Sequence, residues 1–188
     1  LALISGTSAD QTYGAGVAQV INSGKMAVVL GIEVDTLFNC GVNSGCNSQH
    51  VFDELDRYYR KGVRHVFPVH LMNNAFGGAA LYEDMFNVLN KIETGEYFWP
   101  YDCSADGYNF KLGSLFPSLS WLGDHDPVPF YYSLLESANS NAAFCNSKGL
   151  ESLGESLINM MLDRKMIIDI DHMSLRATNT TLRLVEQR

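Results

Sequence analysis

Three apolar runs along this chain each close on a residue able to bind a metal. Met166, Ile167, Ile168 and Ile170 make a nearly continuous apolar stretch, the pattern of a strand covered on both faces as in a parallel sheet. Asp169, Asp171 and His172 break it only toward its carboxyl end. Residues 25–33 (K-M-A-V-V-L-G-I-E) repeat the theme, with Gly31 where backbone crowding is expected and Glu33 at the end. Residues 65–70 (H-V-F-P-V-H) end in His70. These runs predict strands over 26–33, 64–70 and from Met166 onward.

Between them the spacing turns helical. Val51, Phe52, Leu55, Tyr58 and Tyr59 predict a helix over 51–61, with Gly62 as its stop. Leu150, Leu153, Leu157, Ile158, Met161 and Leu162 predict another over 148–164. Ser174 is placed to cap a last one over 174–186. Shorter helices are expected over 10–20 and 79–91, and an Asn- and Gly-rich loop over 35–48. Strands alternating with helices predict an α/β fold with parallel strands, a partial (β/α)8 TIM-type barrel occupying residues 1–188 as one domain. Segment 93–146 breaks the rhythm. It clusters Tyr97, Phe98, Trp99, Tyr101, Trp121, Phe130, Tyr131 and Tyr132, and reads as an insertion or lid on the catalytic face. Its aromatic density fits a specificity wall, a carbohydrate contact or a satellite core.

In such barrels the carboxyl ends of the strands carry the chemistry. Glu33, His70 and His172 would then share one rim, and a carboxylate with imidazoles suits zinc and metal-assisted hydrolysis. Taken alone, His172 reads equally as a satisfied buried histidine. Asn73 and Asn74, just past a strand end, either orient a substrate or satisfy local backbone groups. Phe76 is either a pocket wall or ordinary packing. Asp124, His125 and Asp126 are adjacent in an irregular stretch, and such neighbours seldom converge on one ion.

Three segments taken in order, G-K-M-A-V-V-L-G-I-E, Y-Y-R-K-G-V-R-H-V-F-P-V-H-L-M-N-N and G-L-E-S-L-G-E-S-L-I-N-M-M-L-D-R-K-M-I-I-D-I-D-H-M-S, resemble blocks of the membrane (renal) dipeptidase family. That family comprises zinc-dependent dipeptidases of the amidohydrolase superfamily. The resemblance implies that Glu33 bridges two zinc ions and that His172 ligates one of them. It also implies that His70 contacts the substrate and helps polarise the scissile carbonyl, while a metal-bound hydroxide attacks the amide carbon. Two departures stand against this. Residues 1–25 offer no histidine-x-aspartate pair, and the further histidine, arginine and aspartate that the family carries on later strands have no counterpart, since only one expected helix follows His172. The expectation is therefore a middle portion of a larger enzyme, inactive by itself, since two protein ligands rarely hold zinc tightly.

Length agrees, since a complete barrel takes about 250 residues and this chain has 188. With 46% hydrophobic residues it is globular rather than disordered. A net charge of −8 and a pI near 5.0 disfavour nucleic acid, which needs a basic face. The expected partner is a small peptide substrate, with homo-oligomerisation left open. No apolar run is long enough for a membrane span. Cys40, Cys46, Cys103 and Cys145 admit two readings: a local 40–46 disulfide with a longer 103–145 one, or free thiols. The first, with the sequon at Asn179, points to an extracytoplasmic setting. Two other functions fit the same residues. One is a non-catalytic barrel-derived protein that binds a glycan or protein partner; the other is an amidohydrolase acting on a lactone, cyclic amide or phosphoester. Zn, Mn and Fe accept the same ligands.

Overall fold

The apolar runs form strands, but shorter ones than their pattern predicts. In the computed structural model, which describes residues 2–3, 13–82, 84–107 and 143–188, β1 (Ala2–Leu3) and α1 (Tyr13–Asn22) come first. β2 (Ala27–Val28) and β3 (Leu30–Ile32) follow, then a 3-10 turn at Leu37–Asn39. Next come α2 (Ser48–Arg60), β4 (Val63–Val66), α3 (Asp84–Thr94) and β5 (Pro100–Asp102). β6 (Phe144–Asn146), α4 (Ser152–Asp163), β7 (Ile167–Ile168) and α5 (Leu175–Glu186) complete the order. The run at 26–33 is thus split at Val29, and the run at 64–70 stops before Pro68, whose ring nitrogen has no hydrogen to give a neighbouring strand.

β3, β4 and β7 form a parallel three-stranded sheet in that order, with Ile32 opposite Val66 and Val66 opposite Ile168. β1 runs parallel to β2, with Ala2 opposite Ala27. Within the three-stranded sheet the strands lie side by side in chain order, and α2 links β3 to β4 while α4 leads into β7. The architecture is mixed α/β, and the described strands do not close into a barrel.

One face of this sheet is covered by helices. Val66 packs in a core with Val51 and Leu55 of α2, Leu157 and Met161 of α4, and Leu37, Phe38 and Phe76. Phe76 is fully buried there, so it belongs to the packing. α2 starts at Asn47, whose side-chain oxygen accepts from the His50 N–H and satisfies one of the orphan donors of the first turn. It ends at Arg60, and Gly62, two residues on, turns the chain away with φ at +99°. α4 can approach the 73–78 loop only because residue 154 is glycine, since a Cβ there would lie 2.0 Å from the Phe76 carbonyl oxygen. Ser174 caps α5 by accepting from the Ala177 N–H. A second core, with Val69, Leu81, Phe98, Ile158 and Met173, fixes the loop after β4 against α4 and α5.

All four cysteines are disulfide-bonded, Cys40 to Cys46 and Cys103 to Cys145. The second bond staples β5 to β6, an antiparallel pair that closes the base of the predicted insertion. Trp121, Phe130, Tyr131, Tyr132 and the Asp124–Asp126 stretch lie outside the described residues. Among the described residues, no helix is long and apolar enough to cross a membrane. The two disulfides are compatible with an extracytoplasmic protein.

Candidate metal centre

Alternation along a strand sends successive side chains to opposite faces. With Val66 committed to the helical side, His65 and Phe67 fall on the other face, and the strand-end residues gather at its rim. His70 Nε2 lies 3.2 Å from Glu33 Oε1, and His172 Nε2 lies 3.3 Å from the same oxygen. The two imidazole rings meet edge to face with centroids 4.5 Å apart. The rings are held inward while Glu33 opens to solvent, with side-chain exposures of 19% and 22% against 48%.

These distances suit a cation. Two ligand atoms held about 2.0–2.1 Å from one tetrahedral zinc lie about 3.3 Å apart. Donor atoms from Glu33, His70 and His172 all fall within 4.8 Å of one another. A second grouping, Cys40, Cys46 and His50, meets the same distance test. It does not fit a metal, because both sulfurs are spent in a disulfide and His50 Nε2 contacts the Phe38 carbonyl oxygen.

The outer nitrogen of each ring in the first cluster is also held. His70 Nδ1 is 2.8 Å from Asp35 Oδ1, and that oxygen also accepts from the Leu71 N–H. A carboxylate only accepts, so Nδ1 carries the hydrogen, and a neutral His70 therefore presents a lone pair at Nε2. Donation from Nε2 to a substrate oxygen requires a second proton on the ring. His172 Nδ1 is 3.0 Å from the Tyr82 hydroxyl, which also reaches the Asp171 carbonyl oxygen at 3.2 Å. When the phenol gives its hydrogen to that carbonyl, Nδ1–H donates to the phenol oxygen and Nε2 is left as a lone pair facing Glu33. Burial, then the nearby Asp171 charge, holds the Tyr82 pKa above its usual value of 10.0, so the phenol keeps its hydrogen at neutral pH. Metal-binding histidines are commonly oriented by such partners.

Asn73 and Asn74 are placed differently. The Asn74 amide donates to the Asp35 and Pro68 carbonyl oxygens and accepts from the N–H groups of Phe76 and Gly77. Asn73 accepts from Ala79 N–H and from the Asn146 side chain. Both are buried, and their amides satisfy backbone and neighbouring side chains within the fold. Asp169, at the end of β7, pairs with His65 at 2.8 Å, while the Asp171 carboxylate is exposed beside Tyr82.

Sequence reasoning missed Asp35, Tyr82 and the His65–Asp169 pair. Asp35 stands two residues past Glu33 and was open to notice as a second carboxylate at the same strand end. Tyr82 gave no signal, since it is 90 positions from its partner. No protein family, curated protein or solved structure matches the chain at a significant level.

Proposed function

We propose that this chain is the part of a (β/α)-barrel hydrolase that carries Glu33, His70 and His172 of a zinc centre, and that the complete enzyme cleaves a peptide or similar amide bond in a small, dipeptide-like substrate. The observation that carries this reading is the convergence of His70 Nε2 and His172 Nε2 on one Glu33 oxygen, at 3.2 and 3.3 Å, with each outer ring nitrogen already engaged. Ion pairing alone would not require the second engagement. Parallel strands set side by side in chain order support the barrel.

Bound zinc supplies Lewis acidity and lowers the pKa of water toward neutrality. In this reading Glu33 and His172 hold the ion, and Glu33 keeps an exposed edge toward solvent from which substrate arrives. Neutral His70 completes the donor set. Doubly protonated, it instead offers an N–H to the carbonyl oxygen as that atom gains charge. Asp35 and Tyr82 fix the ring planes, so that little reorganisation is needed when the site loads. Phe67, with its ring centroid 5.7 Å from that of His172, gives the rim an apolar wall.

Metal analysis and dipeptide hydrolysis by the full-length protein test this together. Glu33→Gln and His172→Ala should each strip bound zinc and turnover sharply. A double variant that stays fully metallated and active contradicts the assignment.

A further inference from the structure

One polar pair, on the face of the sheet opposite the α2 and α4 core, takes no direct part in the centre just described. His65 Nε2 lies 2.8 Å from Asp169 Oδ2, joining β4 to the end of β7, and both side chains are largely shielded. The carboxylate can only accept, so Nε2 carries a hydrogen and donates. Room for the imidazole comes from Gly31: a Cβ there would fall 2.9 Å from His65 Nδ1. The other Asp169 oxygen, Oδ1, accepts from the Asp171 N–H at 3.0 Å. Asp169 therefore grips its own strand's exit with one oxygen and the neighbouring strand with the other.

That exit delivers His172. The 169–173 turn is tied at its start by Asp169 N–H to the Val66 carbonyl, and across its middle by Met173 N–H to Ile170. Ala80 N–H donates to the His172 carbonyl at 2.8 Å. Two side chains add to these backbone ties: the Tyr82 hydroxyl reaches the Asp171 carbonyl oxygen, and the Asp169 carboxylate is set in place by His65 on the neighbouring strand. The Phe67 ring lies beside both histidines, 5.0 Å from His65 and 5.7 Å from His172 by centroid, so the lower pair and the rim share one packed layer.

We propose that His65 and Asp169 are positioning residues for the zinc centre: the pair sets the path of the 169–172 turn and so the aim of His172 Nε2 at Glu33. This rests on the zinc reading of Glu33, His70 and His172 given above. A carboxylate without His65 loses its anchor on β4 and keeps only the tie to the Asp171 N–H, so the turn is held from within its own segment alone. Partners one step removed from a metal ligand typically change its affinity by roughly 10- to 100-fold.

The test measures zinc affinity of the full-length chain by competition with a chromophoric chelator, and melting of the same proteins in EDTA. Asp169→Ala should weaken zinc binding by roughly 10-fold or more. His65→Ala should weaken it less, because Asp169 keeps Asp171, and His65→Gln should recover much of the loss because its amide can still donate. If Asp169→Ala does not fold, the His65→Ala and His65→Gln comparison decides. Variants that melt lower in EDTA yet bind zinc as wild type does show a merely structural pair and overturn the proposal. Wild type that takes up no zinc overturns the centre itself, and this inference with it.

Discussion

Two sets of polar residues stand in the connections that follow β3 and β4, and they are used in opposite ways. Asn73 and Asn74 are buried, and their amides serve the fold's own backbone and one another's neighbours. Asp35 and Tyr82 stay partly open and turn their oxygens onto the outer nitrogens of His70 and His172. The two sets are linked, since the Asn74 amide holds the backbone carbonyl of Asp35. A polar residue at a strand end is therefore no sign of chemistry by itself. What decides is whether its atoms are consumed by backbone or left to orient another side chain.

The largest effect that sharpens this contrast should come from Asn74→Ala. It leaves the buried N–H groups of Phe76 and Gly77 without their acceptor, and should cost roughly 3 kcal/mol in urea unfolding. A loss below about 0.5 kcal/mol would mean that the loop holds itself without the amide.

Asp35→Ala should show the reverse profile. Stability falls by only about 1 kcal/mol, for the lost bond to the Leu71 N–H, while zinc affinity falls roughly 10- to 100-fold because the His70 ring is released. Unchanged zinc affinity would place Asp35 with the asparagines.

Tyr82→Phe should give the smallest change, a several-fold weaker zinc affinity with little loss of stability at neutral pH. Its signature is in alkali. The folded pKa of Tyr82 lies above the unfolded value of about 10. Its contribution is thus fully present below pH 10 and is lost as the pH rises from there through the folded value. Wild type should lose stability more steeply than Tyr82→Phe across that window. Parallel curves would show that the phenol is not shielded as described.

Glu33, His70 and His172 were legible in the sequence because each directly follows an apolar run, and strand ends of parallel sheets meet at one rim. The helices at Ser48–Arg60, Ser152–Asp163 and Leu175–Glu186 were legible to within a few residues, from apolar spacing and, for α5, the Ser174 cap. Strand lengths were not. Hydrophobicity continues through Val69, but pairing stops near Pro68, so β4 is shorter than the apolar run. The cysteine pairs were among the readings the spacing allowed, and the structure forms both. The partners of the histidines were out of reach: Tyr82 and Asp169 meet rings 90 and 104 positions away, through loops whose paths no local pattern encodes.

Anomalous diffraction at the zinc edge, from crystals of the full-length protein grown with zinc, is the most direct test of the central claim. The account predicts a peak about 2.0–2.2 Å from Glu33 Oε1, His70 Nε2 and His172 Nε2. A zinc peak elsewhere, or none at this rim, would contradict it.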